Sequence, residues 1–171
     1  FKKSIEIKPD FLNAYNNLGI LLSTQGRYLE ALDMYFKGLR KNPEDYSLYF
    51  NEGITLSEMG RYAEAAEAFR NALEIKPDEL QIKYHLGAAL MELRRYNEAV
   101  EVYKSALKIK PSDGELFYNL ATVYTLLNKH DIALDNLKRA IDLNKDYKND
   151  AKMDRAFDGL RTKQEFVELV S

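Results

Sequence analysis

Cysteine and tryptophan are absent from this 171-residue sequence, and histidine occurs only twice. Without cysteine the chain can form neither a disulfide framework nor a thiolate metal site, and it has no cysteine nucleophile. No apolar run approaches the ~18 residues that are needed to span a bilayer. Basic and acidic residues nearly balance, at 25 and 27, and no long block carries charge of one sign. This balance argues against nucleic-acid and anionic-membrane partners, because such surfaces need clustered Lys and Arg.

The chain also lacks the sequence signatures of catalysis. It contains no Gly-rich phosphate loop, no metal-ligand cluster and no dinucleotide-binding motif. No nucleophile pattern surrounds His85. The other histidine, His130, occupies a position that tyrosine holds in the other repeats defined below, and we interpret it as a packing residue. We therefore predict that the protein is not an enzyme and that it needs neither a cofactor nor a metal.

Proline is rare, and its spacing reveals a repeat. The only prolines are Pro9, Pro43, Pro77 and Pro111, each 34 residues after the last. A fixed period of this length is typical of a repeat array. The period defines four repeats, at 12–45, 46–79, 80–113 and 114–147, preceded by the end of a truncated repeat at 1–11 and followed by residues 148–171, which match none. Since the chain begins inside a helical pattern, we expect it to be a piece of a longer array.

Within each repeat the apolar residues follow two helices rather than strands. Two sets in the first repeat have one-face helical spacing: Tyr15, Leu18, Gly19 and Leu22, then Ala31, Tyr35, Gly38 and Leu39. Between the two helices of successive repeats stand Gly26, Gly60, Arg94 and Asn128. Each proline is expected to end a second helix, because it has no N–H to donate. Next to the turn, a basic residue recurs at Arg27, Arg61, Arg95 and Lys129. We interpret these residues as charges of the turn, with a basic strip along one rim as the alternative.

Small residues recur where two helices must approach closely. Position 8 of the repeat holds Gly19, Gly53, Gly87 and Ala121, and position 20 holds Ala31, Ala65, Ala99 and Ala133. Large residues recur at position 24, namely Tyr35, Phe69, Tyr103 and Leu137. These side chains are expected to fill the space beside the small residues.

This pattern resembles the tetratricopeptide repeat (TPR) family over roughly residues 1–147. Among the family's eight signature positions per repeat, only Glu52, Lys83 and Lys145 depart from the expected class of residue. The resemblance implies an all-α fold, a right-handed superhelix of helix-turn-helix hairpins. Glu52 and Lys83 replace core residues and are opposite in charge, so we predict that they pair between the second and third repeats. The alternative is that they are two independent, semi-exposed charges.

The two ends of the chain differ in pattern. Phe1, Ile5 and Ile7 leave an apolar face open at the N-terminal edge, which further repeats would cover or through which a homodimer would form. At the other end we predict a cap of short helices. Its apolar stripe comprises Ala151, Met153, Ala156, Phe157 and Leu160, and residues 162–165 have capping-box spacing.

The TPR resemblance also implies where a ligand binds, because the first helix of each TPR repeat lines the concave side. The candidate peptide-binding residues at groove-facing positions are Asn13, Asn16, Asn17, Phe50, Asn51, Gln81, Tyr84, His85, Tyr118 and Asn119. Position 6 of the repeat forms a ladder that consists of Asn17, Asn51, His85 and Asn119. The amides of its asparagines can bond the N–H and C=O groups of an extended peptide. The aromatic residues of this set add contact surface. The alternative is that Asn at position 6 is simply tolerated on a wet face.

The groove lacks the cations of the carboxylate clamp that chaperone-binding TPR domains use. Asn16, Ile20, Gln81 and His85 stand at four of the clamp positions, and Glu58, Glu92 and Glu115 make the groove neutral to mildly acidic. We therefore predict a protein-interaction scaffold that binds an extended, neutral or basic peptide. Two other hypotheses stay open: a structural or regulatory arm of a larger enzyme, such as a glycosyltransferase, and self-association through the N-terminal edge.

Overall fold

The computed structural model describes residues 9–171, with side chains from Asn13 onward. The first eight helices are α1 (Pro9–Thr24), α2 (Tyr28–Leu39), α3 (Tyr46–Glu58), α4 (Tyr62–Ile75), α5 (Leu80–Glu92), α6 (Tyr96–Ile109), α7 (Gly114–Leu126) and α8 (His130–Leu143). Then come α9 (Tyr147–Met153), a 3-10 helix, η1 (Arg155–Leu160), and α10 (Gln164–Val170). These described residues contain no strand. The prediction of an all-α fold is therefore confirmed.

Two compact units make up the chain, an N-terminal unit that ends at Ala89 and a C-terminal unit from Leu90 to Ser171. In the N-terminal unit α1 packs against α2 and α3 packs against α4, while α3 also contacts α1 and α2. In the C-terminal unit α7 packs against both α6 and α8. Consecutive helices therefore form the hairpins that the 34-residue period predicts.

Three of the four prolines follow the second helix of a hairpin. Pro43, Pro77 and Pro111 follow α2, α4 and α6, as predicted. Pro9 is the first residue of α1, and the helix that it is predicted to end lies outside the described residues. Proline is well suited to that position, because a backbone N–H there would have no partner within the helix. The apolar face predicted from Phe1, Ile5 and Ile7 lies outside the described residues.

All four turns within the hairpins use one residue in the left-handed backbone region. Its φ is 74° at Gly26, 72° at Gly60 and 56° at both Arg94 and Asn128. This conformation turns the next backbone N–H back to the first helix, so that Arg95 N donates to Leu90 O at 2.8 Å. Glycine adopts such φ values without steric cost and asparagine is enriched there, whereas arginine has neither advantage. Arg94 is therefore the strained member of the four turns.

The basic residue after each of the first three turns is bound to the helix that follows it. The Arg27 guanidinium donates to both carboxylate oxygens of Glu30 at 2.7 and 2.6 Å, and Arg61 makes the same pair of bonds to Glu64. Arg95 repeats the arrangement with Glu98 at 2.6 and 2.7 Å. These exposed pairs are local, which supports the interpretation of the basic residues as charges of the turn. Exposed pairs of this kind contribute little to stability.

Close contact between a glycine and an aromatic ring seats α2 on α1 and α4 on α3. A Cβ atom added to Gly19 would lie 2.3 Å from Cε1 of Tyr35, and one added to Gly53 would lie 2.5 Å from Cε1 of Phe69. Both rings are fully buried, as are the alanines at position 20. The predicted alternation of small and large residues is therefore confirmed, with the ring lying directly against the glycine.

Short helices cap the C-terminal unit, although two details of the predicted cap are wrong. α9 and α10 contact α8, η1 contacts α7, and the ring of Phe157 stacks on Phe166 with centroids 6.0 Å apart. Met153, however, is 81% exposed and does not belong to the apolar stripe. The capping box does not form either, because the N-cap of α10 is Lys163, whose side chain makes no capping bond.

Replacing Arg94 by glycine should stabilise the protein. Relief of the left-handed backbone at a non-glycine residue is worth about 1 kcal/mol, which corresponds to roughly 2–4 °C in the thermal midpoint of a chain of this size. Circular dichroism melting curves would measure the shift. Asn128→Gly is the matched control and should gain less, because asparagine tolerates this conformation better. A lower midpoint for Arg94→Gly would contradict the assignment of strain.

A double-mutant cycle would test the contact between Gly53 and Phe69. We expect Gly53→Ala to destabilise by ~1–3 kcal/mol through overpacking, although alanine is the better helix former. The fourth repeat carries Ala121 and Leu137 at the equivalent positions. Phe69→Leu should therefore cost less in the Gly53→Ala background than alone. The measurement is urea unfolding of the four proteins, and additive free energies would show that the two side chains do not compete for the same space.

Candidate peptide-binding site

The ten predicted binding residues lie on the first helices of the four hairpins. α1 carries Asn13, Asn16 and Asn17, α3 carries Phe50 and Asn51, α5 carries Gln81, Tyr84 and His85, and α7 carries Tyr118 and Asn119. Asn13, Asn17 and Gln81 are exposed, and the other seven are partly buried. Eight of the ten belong to the N-terminal unit, so the candidate site is described there first.

One rung of the predicted ladder, Asn51, is bonded to Asn16, the neighbour of the rung Asn17. Nδ2 of Asn51 donates to Oδ1 of Asn16 at 2.7 Å, which joins α3 to α1 through side chains alone. A primary amide offers two N–H donors and an oxygen with two lone pairs. The bond therefore uses one donor of Asn51 and one lone pair of Asn16. The second N–H of Asn51 and the amide N–H groups of Asn16 are not used by this bond. The bond also fixes the position of the two amide groups relative to each other.

An aromatic cluster lies beside the asparagines. The Phe50 ring meets His85 edge-on with centroids 5.2 Å apart, and His85 stacks on Phe69 of α4 at 5.6 Å. Burial lowers the pKa of His85, so the imidazole is neutral at pH 7 and offers one donor and one acceptor. Phe69 contacts this aromatic cluster but is not among the ten binding residues predicted from the sequence. Its position in the repeat signature indicated a core residue and did not reveal its contact with His85.

A buried polar network joins α1 and α3 farther along the helices. Ser23 Oγ donates to Oε2 of Glu58 at 2.8 Å and lies 3.0 Å from Thr55 Oγ1. Both hydroxyl-bearing residues, Ser23 and Thr55, are buried. Glu58, one of the acidic residues predicted in the groove, is therefore committed in part to this network.

Tyr118 is engaged by the C-terminal cap. Its hydroxyl donates to Oδ2 of Asp154 at 3.1 Å, and its ring stacks on Tyr147 at 5.0 Å and meets Phe157 edge-on at 5.5 Å. Burial, followed by the charge of Asp154, raises the pKa of the phenol. The cap therefore contacts both the ring and the hydroxyl of Tyr118, which is still partly exposed. Neighbouring Asn119 is partly buried on the same helix.

The predicted ion pair between Glu52 and Lys83 is not formed. Burial raises the pKa of Glu52, and the carboxylates of Glu67 and Glu64 on α4 raise it further. A lysine in contact would instead lower this pKa by favouring the charged form. Lys83 is partly buried on α5. The sequence showed correctly that Glu52 replaces a core residue but did not identify its neighbours, which come from the following helix.

Two further findings concern the described part of the chain. Within residues 9–171 no group of three or more His, Asp or Glu side chains is arranged to hold a metal ion. None of the helices in that range combines the length and the apolar character needed to cross a bilayer.

Comparison with known proteins identifies the repeats. One model of the tetratricopeptide repeat matches residues 16–79 and 50–114, and a second matches residues 114–147. No curated protein sequence matches the chain. Several solved structures resemble its fold.

A crystal structure of MamA protein superposes with a TM-score of 0.82 at 20% identity, over 94% of this chain and 88% of that one. MamA 41-end from Desulfovibrio magneticus RS-1 has a TM-score of 0.78 at 23% identity, over 94% and 93% of the two chains. MamA AMB-1 has a TM-score of 0.71 at 25% identity, over 78% and 73%. Because the repeat models together run from residue 16 to residue 147, this chain belongs to the tetratricopeptide repeat family.

Proposed function

We propose that this protein-interaction scaffold holds an extended peptide segment of a partner protein on the N-terminal unit, across α1, α3 and α5. The observation that carries the proposal is the 2.7 Å bond between Asn16 and Asn51. It presents two amides side by side on adjacent first helices, next to exposed Asn17. An extended peptide offers alternating N–H and C=O groups, and such amides can bond both without reading the side chains.

The aromatic cluster supports the same proposal. Phe50 and His85 are partly exposed, and their rings are fixed against buried Phe69. Rigid, partly exposed rings provide contact area at low entropic cost and are typical of binding hot spots. In this proposal they contact apolar side chains of the peptide, while the asparagines bond its backbone.

The partner segment is neutral or basic and is bound along its length rather than by its C-terminal carboxylate. Gln81 and His85 stand where a carboxylate clamp requires cations, and burial holds His85 in its neutral form. Without these cations, an acidic terminus has no charge-assisted partner at these positions. A peptide with an amidated C-terminus is therefore expected to bind as tightly as the same peptide with a free acid.

Asparagine replacements test the proposal directly. Peptides selected from a random display library on the wild-type chain would be measured against Asn17→Ala/Asn51→Ala by fluorescence anisotropy. Each neutral hydrogen bond contributes about 1 kcal/mol, so the double variant should bind roughly thirtyfold more weakly. Asn97→Ala, at an exposed site on α6, is the matched control and should bind as the wild type does. Equal affinity of the double variant for every selected peptide would contradict the proposal.

Self-association is a second candidate, favoured by the exposed face of α1. Leu18 is 44% exposed, whereas Leu86 and Leu120, at the same repeat position, are 4% and 2% exposed. Leu21 is also exposed. An apolar face of this kind is a potential protein contact.

Light scattering over a dilution series would test self-association. The expected result is a mass that falls toward that of one chain on dilution, and Leu21→Lys should shift the whole series toward the monomer. A mass that equals one chain at every concentration would eliminate this candidate.

A further inference from the structure

A second groove lies between α2 and α4 of the N-terminal unit, and none of the ten candidate peptide-binding residues lines it. Its volume is about 450 Å³. Leu32, Phe36 and Leu39 of α2 form one wall, Leu56 of α3 contributes apolar surface, and Glu52 of α3 also lines the groove. The groove therefore combines apolar walls with a carboxylate.

Glu52 is the residue that distinguishes this groove from the equivalent places in the other repeats. Leu18, Leu86 and Leu120 occupy its repeat position. Leucine contributes to stability here through apolar burial, whereas a partly buried carboxylate loses hydration. The raised pKa of Glu52 reflects this loss together with repulsion from Glu67 and Glu64. A position that breaks the repeat rule at a cost to stability is expected to be functional.

A second departure from the repeat pattern lies in the same groove. Phe36 is 59% exposed, and the other repeats carry Arg70, Lys104 and Lys138 at its position. Phe36 belongs to the first repeat and Glu52 to the second, and the two departures meet in this groove. The first change adds an apolar wall to the groove, and the second adds an acidic group beside it.

The charges of the groove favour a basic occupant. Three carboxylates line it, against the two guanidinium groups of Arg40 and Arg61. Glu64 is bonded by Arg61, and Arg40 lies over the Phe36 ring at 6.0 Å. The charges that act on the Glu52 carboxylate are those of Glu67 and Glu64, and both are negative. The groove therefore has one more carboxylate than guanidinium groups, and its partly buried carboxylate has acidic neighbours.

We propose that this groove is a second docking site, which takes a Lys or Arg side chain of a partner protein with an apolar residue next to it. The aliphatic stem of the basic side chain lies along Leu32 and Leu56, and its head group binds the Glu52 carboxylate. The neighbouring apolar residue of the partner packs on Phe36. Long basic side chains are suited to such a groove, because they bury their methylene groups while the charge finds a partner.

The size of the groove agrees with this occupant. A volume of about 450 Å³ exceeds what one Lys or Arg side chain fills and leaves room for one apolar neighbour. Burying an aromatic ring such as that of Phe36 at the centre of a contact provides much of the binding free energy of a typical interface. The acidic groups then determine which partners are accepted, because an acidic or neutral side chain leaves Glu52 buried and unpaired.

A competitive selection would identify suitable ligands. A 12-residue peptide display library would be selected on the wild-type chain in the presence of excess soluble Glu52→Leu chain, which removes peptides that bind other surfaces. The expected enrichment is a Lys or Arg at one fixed place beside an apolar residue. Enriched peptides that share no basic residue would overturn the proposal.

Affinity measurements on the enriched peptides provide a second test of the proposal. Binding should fall at least tenfold for Glu52→Gln, and by a similar factor when norleucine replaces the shared Lys or Arg of the peptide. Glu74→Gln removes the same charge from an exposed site on α4 and should leave affinity unchanged. If Glu52→Gln or the norleucine peptide bound as the parent does, the basic side chain would not be what the groove recognises.

Two controls separate this site from the rest of the protein. Glu52→Leu should retain its helical circular dichroism and melt no lower than the wild type, because leucine stands at this position in the other repeats. Asn17→Ala/Asn51→Ala should bind the enriched peptides normally, whatever its effect on the peptide site proposed above. Loss of binding in that variant would assign the peptides to the asparagine surface and would overturn the second site.

Discussion

The contact between a glycine of one helix and an aromatic ring of the next determines the geometry on which the N-terminal unit depends. At Gly53 the Phe69 ring occupies the space that a Cβ atom would need, and Tyr35 does the same at Gly19. Protein interiors are closely packed, so such a contact allows little change in the separation of the two helices. Because the contact recurs with the repeat, α1 and α3 hold equivalent positions in successive hairpins. The spacing that lets Asn51 reach Asn16 follows from this regularity.

The same ring links the core to the candidate peptide-binding surface. One side of Phe69 covers Gly53, and its other neighbours include Phe50 and His85. A side chain that determines how α4 packs on α3 therefore also fixes the rings that a peptide would meet. Rings and amides that are ordered before binding lose little conformational freedom when a ligand arrives, and this preorganisation favours affinity.

Features that recur every 34 residues could be predicted from the sequence, and features that depend on a unique neighbour could not. The helical hairpins, the small residues at positions 8 and 20 and the turn at Gly26 all follow from the period. The engagement of Tyr118 depends instead on Tyr147, Phe157 and Asp154, which lie in or next to a cap without a repeat.

Charge and hydrogen bonding were harder to predict than packing. The opposite signs of Glu52 and Lys83 suggested a pair, but the charges that act on the pKa of Glu52 are the carboxylates of Glu67 and Glu64 on α4. Likewise, the repeat pattern did not reveal that Ser23 is buried against Thr55. Apolar packing depends on residue size and helical spacing, which the sequence records directly. Polar contacts depend on the direction of a few side-chain atoms, which the repeat pattern does not specify.

The modular packing of the repeats explains how one array tolerates a carboxylate at a core position. In a solenoid each repeat contacts only its neighbours, so the cost of Glu52 is confined to its own surroundings. Leu86 and Leu120 remain buried at the equivalent positions. The regular contacts of the other repeats therefore offset the stability that is lost at Glu52. One groove can acquire a charge without disrupting the fold. By this reasoning the residues that break the repeat, rather than those that obey it, distinguish the surfaces of this chain from those of other tetratricopeptide arrays.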